Sequence, residues 1–269
     1  MDVLGIDIGG SAIKAAVVNT ATGELRGARM RVETPAGALP EDVAALLQQL
    51  VRNLSWRELI GCTFPGIVRG GVIASAANMN AAWVGVDAAE LFSRATACST
   101  FLLNDADAAG LAEVEFGAGR GQCGVTLLLT LGTGIGSALF LDGRLVPNSE
   151  LGHIEIRGKA GEQRAAARVR SEKDLSWKAW AKRVDEYLQK IEFLLSPDLI
   201  IIGGGVSRSH EKFFRYLKTR ARLVPAQHYN DAGIIGAACA ARAGRLPDGD
   251  ACCPVGDAGN ALAQNHLSH

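Results

Sequence analysis

Two separated stretches of this chain are written to one pattern. Val3-Leu-Gly-Ile-Asp-Ile-Gly-Gly-Ser-Ala-Ile-Lys-Ala-Ala-Val-Val-Asn and Val125-Thr-Leu-Leu-Leu-Thr-Leu-Gly-Thr-Gly-Ile-Gly-Ser-Ala-Leu-Phe-Leu-Asp each carry an apolar strand into a glycine turn and out along a second apolar strand. Short apolar runs bounded by glycine read as buried strands. A repeated strand–turn–strand unit means that the chain folds twice in the same way, as two lobes of related build. Further strands are expected over 28–33, 59–64 and 100–103, and helices over 41–54, 87–94 and 106–115. Strands alternating with helices imply an α/β sheet in each lobe. Ser171-Glu-Lys-Asp has the form of a capping box, and Trp180, Val184, Tyr187, Leu188, Ile191 and Leu195 then recur at helical spacing, so a long amphipathic helix follows and Pro197 ends it. Asp198-Leu-Ile-Ile-Ile-Gly-Gly-Gly reads as a buried strand entering a glycine loop, and 233–242 as a helix of small residues. The domain expectation is a smaller N-terminal α/β lobe over 1–104, completed by the helix at 233–243, and a larger α/β lobe over 105–232. A polar, glycine-rich tail over 244–269 is expected to be disordered.

Charge and cysteine usage exclude several classes. Lys+Arg and Asp+Glu number 28 each, so no general field attracts nucleic acid or an anionic membrane. No run of eighteen apolar residues is present, and the first apolar stretch is broken by Asp7 and glycines, so neither a signal peptide nor a span is expected and the cytoplasm is the default. The six cysteines, at 62, 98, 123, 239, 252 and 253, lack Cys-x-x-Cys spacing and are read as reduced thiols.

Five strings carry chemistry. Asp7-Ile-Gly-Gly-Ser-Ala-Ile-Lys14 sets an acid at a strand end before a glycine turn, where backbone N–H groups can converge on phosphate oxygens; Gly9, Gly10, Ser11 and Lys14 are the candidate contacts, and Asp7 can hold hydrated Mg²⁺ beside the phosphates. An ordinary hairpin turn is the plain alternative. Leu131-Gly132-Thr133-Gly134-Ile-Gly repeats the device in the second lobe, and Gly204 and Gly205 form a third loop for the nucleotide's sugar and base or another part of the donor. Asn104-Asp105-Ala-Asp107 puts Asp105 at the carboxyl end of a strand, where α/β sheets bind ligands and where a carboxylate can take the proton of an attacking hydroxyl. Alternatively Asp105 or Asp107 caps the next helix. Glu150-Leu-Gly-His153 joins a carboxylate acceptor to an imidazole across a glycine, a pair suited to neighbouring sugar hydroxyls.

In this order, these motifs resemble the family of repressors, open reading frames and kinases (ROK), over nearly the whole chain to about Arg242. Asp7-Ile-Gly-Gly-Ser, Ala76-Ala-Asn-Met-Asn-Ala-Ala-Trp-Val-Gly-Val-Asp87, Glu150-Leu-Gly-His-Ile-Glu-Ile-Arg-Gly-Lys159 and Asn230-Asp-Ala-Gly-Ile-Ile-Gly are similar to its polyphosphate glucokinase branch. The resemblance implies a two-lobed ribonuclease-H-like, actin-like ATPase fold with the active site in the cleft between lobes. It further implies a hexose kinase using polyphosphate, ATP or both, Mg²⁺, and a homodimer. Asp105 would be the general base, and Gly66, Asn78, Asn104, Glu150 and His153 would contact the hexose, with Glu162 as a further acid. Many relatives carry a three-cysteine zinc loop after the position of His153; here Ile-Glu-Ile-Arg-Gly-Lys follows, so no zinc is expected.

Between 157 and 183 stand nine Lys/Arg against three acids, a track for a polyanion or simply a solvated helix face. Other readings are an ATP-only hexokinase and a sugar-responsive regulator, the latter disfavoured because the first core strand begins at Val3 and leaves no room for a helix-turn-helix. A non-catalytic sugar-binding module and an iron–sulfur ATPase are opposed by Asp105 with its glycine loops and by the cysteine pattern.

Overall fold

The computed structural model describes residues 1–76 and 79–244; Asn78 and the 245–269 part of the expected tail, with Cys252 and Cys253, lie outside the described residues. The first lobe opens with an antiparallel meander, β1 (Asp2–Ile8), β2 (Ala12–Asn19) and β3 (Glu24–Glu33), followed by α1 (Pro40–Asn53) and β4 (Ile60–Phe64). A short hairpin, β5 (Val68–Arg69) and β6 (Val72–Ile73), leads to α2 (Ala88–Thr96) and β7 (Thr100–Asn104). β4 and β7 run parallel to β1, giving the order β3-β2-β1-β4-β7.

After α3 (Asp105–Phe116) the plan repeats. β8 (Val125–Leu131), β9 (Ile135–Leu141) and β10 (Arg144–Val146) form a second meander. A two-residue-strand hairpin, β11 (Glu155–Ile156) and β12 (Lys159–Ala160), precedes α4 (Glu162–Ala165), α5 (Ala167–Glu172) and α6 (Trp177–Leu195). β13 (Leu199–Gly203) and β14 (Arg222–Pro225) then add parallel to β8, so the order β10-β9-β8-β13-β14 matches that of the first sheet. The repeat read from the glycine turns is therefore a repeat of topology. β13, with a parallel neighbour on each side and every residue buried, shows why its sequence is unbroken Leu-Ile-Ile-Ile.

α7 (Ala232–Ala243) returns from the second half to pack on the first sheet, its Ile234, Ile235 and Ala238 joining Val3, Ala16 and Leu59. The approach is very close: a Cβ on Gly5 or Gly61 would collide with the carbonyl oxygens of Ile234 and Ala237, so glycine in these two strands is what lets the helix lie flat against them. On the opposite side of that sheet, Trp83 is fully buried between Phe64 and Phe92 and donates its indole N–H to Ala38 O at 3.1 Å. Trp180 plays the same part in the second lobe, packed on Phe213 and donating to Ala165 O.

Two local expectations change. The long helix starts at Trp177, with Ser176 Oγ accepting from Ala179 N; Ser171 lies inside α5, because Asp174, at positive φ, breaks the helix between them. Cys62, Cys98 and Cys239 are free thiols as expected, whereas Cys123 is disulfide-bonded. Among the described residues no helix is long and apolar enough to cross a membrane.

Candidate active site

β1 and β7 both end at the cleft between the lobes, which fixes where their last residues can act. Asp7, near the end of β1, and Asp105, the first residue of α3 directly after β7, line one cavity of about 180 Å³ together with Lys14, Thr130, Gly203, Gly204, Asn230 and Gly233. The cavity draws on both lobes and on the entrance to α7. Neither Asp105 nor Asp107 is the cap of α3. Asn104 is, its Oδ1 accepting from the N–H groups of Ala106 (2.8 Å) and Asp107 (3.1 Å) while its Nδ2 donates to Gly66 O at 3.0 Å. Asn104 thus ties the start of α3 to the Gly66 turn.

Burial pushes the Asp105 carboxyl up to about 7, helped by the negative charges of Asp7 and Glu150; hydrogen bonding to the Ala106 N–H works against this. Asp105 is thus within electrostatic reach of both Asp7, beside the first glycine turn, and Glu150, at the head of the Leu151–His153 turn. Asp7 is held from two sides: Lys14 Nζ lies 3.0 Å from Oδ2, and Thr63 Oγ1 donates to Oδ1 at 2.9 Å. Thr63 carried no signal in sequence. It matters because β4 pairs in parallel with β1, setting Thr63 beside Asp7.

The three glycine loops are not equivalent. The β1–β2 turn is a tight one in which Gly9 N–H donates to Ala12 O and Thr34 Oγ1 donates to Gly9 O at 2.8 Å. Gly9, Gly10, Gly132, Gly134 and Gly205 do not have positive φ, so the ease of positive φ expected of these turns explains only Gly204, at φ 80°. The third loop, expected at the nucleotide's sugar and base or another part of the donor, brings Gly203 and Gly204 to the cavity of Asp7 and Asp105. It continues into a 3-10 stretch over Gly205–Lys212. The Gly132–Gly134 turn faces Glu162, whose Oε2 accepts from Ile135 N at 3.3 Å.

Glu150 and His153 bracket a single 3-10 turn over Leu151–His153, with Glu150 Oε2 3.6 Å from His153 Nε2. Their side chains are 37% and 60% exposed, open to a ligand. Burial raises the Glu150 carboxyl, Glu162 raises it further, and His153 opposes this, so all three sit within electrostatic reach. Glu162, Glu150, Asp105 and Asp7 form a sequence of acids across the cleft. Gly66 adjoins this side, its N–H donating to Phe64 O, and a Cβ there would strike Ser75 O.

Of the nine basic side chains between 157 and 183, Arg157 and Arg164 both bind Glu186, Arg168 pairs with Glu172, and the Arg170 guanidinium lies 3.8 Å over the Trp177 ring. Lys159, Lys173, Lys178, Lys182 and Arg183 make no ion pair among the described residues. Nor, among the described residues, does any group of three His, Cys, Asp or Glu side chains stand ready to hold a metal ion. Asp7, a carboxylate lining the cavity, has the donor chemistry Mg²⁺ takes when it is shared between one protein carboxylate, substrate and water.

Two sheets of identical strand order around a cleft with an acid at its floor define a two-lobed, actin-like ATPase fold of the sugar-kinase kind. The chain belongs to the ROK family, whose model matches residues 3–165. It is 45% identical over 237 residues to a polyphosphate glucokinase of Mycobacterium tuberculosis (strain H37Rv), covering 88% of this chain and 89% of that one. Among solved structures it is similar to an inorganic polyphosphate/ATP-glucomannokinase from Arthrobacter sp. strain KM, with a TM-score of 0.86 at 44% identity over 90% and 99% of the two chains. A ROK family glucokinase from Streptomyces griseus, solved with glucose and AMPPNP, shares the fold with a TM-score of 0.75 at 24% identity.

Proposed function

We propose that this chain is a glucose kinase that transfers a phosphoryl group from polyphosphate or ATP to the sugar 6-hydroxyl. The observation that carries this reading is Asp105: a buried carboxyl poised near neutral pH at the head of α3, between Asp7 on the glycine-turn side and Glu150 on the other. The attacking hydroxyl gives its proton to Asp105 as the phosphoryl group arrives, and a base with a raised pKa takes that proton more readily than an ordinary aspartate. Phosphoryl transfer asks little covalent chemistry of the protein and much positioning.

The hexose side is assigned to Glu150, His153, Asn104, Gly66 and Glu162; Asn78 belongs to the same proposal but lies outside the described residues. The donor side is assigned to Gly9, Gly10, Ser11, Lys14, Gly132, Thr133, Gly134, Gly204 and Gly205. Asp7 would hold Mg²⁺ there, and the ion would supply neutralisation of phosphate charge. Thr63 and Lys14 keep the Asp7 carboxylate facing the cavity. We divide the molecule at this cleft, with 1–104 plus α7 on one side and 105–232 on the other. We place the enzyme in the cytoplasm, and take it to be a homodimer.

The deciding experiment is a coupled glucose 6-phosphate assay on purified protein with Mg²⁺ and either ATP or nucleotide-free polyphosphate, run in parallel with mannose. Turnover of glucose with either donor supports the reading. Failure with both donors and both sugars sinks it.

A further inference from the structure

Asp107 lies two residues beyond Asp105 on α3 and is 1% exposed. Its Oδ2 accepts the backbone N–H of Asn148 at 2.8 Å, while Oδ1 has no partner among the described residues. Burying a carboxylate is unfavourable unless cations or several donors surround it, and only the helix N-terminus and this one N–H offset the cost here. A group kept under such terms is a poor device for stability alone.

What it holds is the loop of the hexose side. Asn148 has a left-handed backbone, φ 58°, a conformation that asparagine tolerates better than most residues. In it, Asn148 presents its N–H to α3 and its side-chain amide to the other lobe. Oδ1 accepts from Val68 N at 2.9 Å and Nδ2 donates to Val68 O at 2.8 Å, a two-bond clamp. Val68 opens the hairpin two residues after Gly66, whose carbonyl is bound by Asn104. The connections close a ring: α3, Asp107, Asn148, Val68, Gly66, Asn104 and back to α3. Ser149 is fastened separately to Ser137 of β9, through Ser137 Oγ to Ser149 O (2.6 Å) and Ser149 Oγ to Ser137 O (3.0 Å). Glu150 comes next in the chain. Among the described residues its carboxylate has only the His153 contact, so its placement relative to Asp105 depends on the backbone anchors on either side of it: Asn148 and Ser149 before it, and Leu151 after it, whose N–H donates to Ser137 Oγ at 3.0 Å and whose carbonyl accepts from Tyr187 OH at 3.2 Å.

We propose that Asp107 is a positioning residue for hexose recognition: through Asn148 it ties the loop bearing Glu150 and His153 to the first turn of the helix that carries the base, and to the opposite lobe at Val68. The inference rests on the glucose kinase reading above. It predicts a particular kinetic pattern, because the sugar loop is loosened while Asp105 and the donor cavity stay in place.

Three variants test it on the full-length protein: Asp107→Ala, Asp107→Asn and Asn148→Gly. Losing the bond to Asn148 in Asp107→Ala should raise the glucose KM about tenfold, the scale of one buried charge-assisted hydrogen bond, with kcat at saturating glucose and the donor KM changed by no more than about twofold. Asp107→Asn keeps an oxygen to accept from Asn148 N–H and should return the glucose KM to within about threefold of the unmodified value. Asn148→Gly preserves the left-handed backbone and removes only the clamp on Val68, so it should also raise the glucose KM, and it decides the matter should Asp107→Ala fail to fold. An unchanged glucose KM in Asn148→Gly overturns the inference. So does a fall of kcat and donor affinity in proportion to glucose affinity, or an Asp107→Asn variant as impaired as Asp107→Ala. Absence of glucose phosphorylation by the unmodified protein overturns the functional reading and this inference with it.

Discussion

Asp105 carries opposed consequences for activity and stability, and both follow from its raised pKa. Its carboxyl titrates near 7 in the folded protein against an ordinary 3.8, so the base form is lost as the pH falls through 7, and kcat/KM should drop about tenfold per unit below that point. Between about pH 4 and 7 the folded protein keeps a proton that the unfolded chain has released, so stability declines with rising pH across that window and the full cost stands above it. Asp105→Asn cannot ionise. It should lower kcat by about 10²-fold or more while raising stability and Tm, and the stability gain should grow from pH 4 to 7 and then level off, reaching a few kcal/mol at most. Thermal melts at a series of pH values, beside single-turnover rates, check this; an active variant or one with unchanged Tm at pH 8 removes the assignment. Glu150 and His153 are 37% and 60% exposed, and in the proposed site they bind sugar hydroxyls that are present in both ground and transition states, so on that proposal truncating either to Ala should raise the hexose KM by an amount worth about 1 to 3 kcal/mol with little effect on kcat. Steady-state kinetics with glucose varied at saturating donor would show it.

At the scale of elements, the site depends on how α3 is held between the lobes. Glu113 is fully buried and secures its far end, Oε1 accepting from Gln227 N and His228 N (2.8 Å each) and Oε2 from Ala118 N at 2.9 Å. Three backbone donors on one carboxylate are a full satisfaction of a buried charge. Glu113→Gln must turn an amide NH₂ towards a backbone N–H, and should lower stability by about 1 to 3 kcal/mol, read as a shift of the denaturant midpoint at constant m. The basic segment divides in a similar way. Arg157, Arg164, Arg168 and Arg170 are engaged with Glu186, Glu172 and Trp177, so replacing them would disturb packing as well as charge. The exposed Lys173, Lys178 and Lys182 are the cleaner probe of a polyanion track. Changing these three lysines to Gln should raise the polyphosphate KM several-fold and leave the ATP KM unchanged, with the difference shrinking as salt shortens the Debye length to about 10 Å at 0.1 M. Equal effects on the two donors would mark the segment as a solvated face.

For the whole molecule, the exposed apolar surface bears on association. Phe193 and Leu194, near the end of α6, are 77% and 51% exposed and form an adjacent apolar pair on the surface. As the contact of a homodimer, this patch would be covered. Phe193→Glu should then shift the sedimentation coefficient of a dimer to that of a monomer, with the fold retained by circular dichroism. A monomeric unmodified protein would dismiss the proposal.

Local chemistry made the repeated lobes legible from sequence. A strand that ends in glycine is the same signal wherever it occurs, and the two meanders, the apolar β13 and the small-residue α7 each follow from period or composition over a few residues. The candidate base and the pair Glu150 and His153 were legible for the same reason, since each lies within one short motif. What sequence could not supply were relations between segments distant along the chain. The parallel pairing of β4 with β1 brings Thr63 to Asp7, the return of α7 explains Gly5 and Gly61, and the ring from Asp107 through Asn148 to Val68 joins residues of both lobes. Helix starts also passed beyond the motif: Ser171 has the cap pattern, but Asp174 interrupts the helix and Ser176 takes the role. Sequence determined which residues are able to do the chemistry, because that is a property of each side chain and its neighbours in the chain. Only the tertiary structure decided their pKa values and partners, because burial and hydrogen bonding are set by whatever the fold brings alongside.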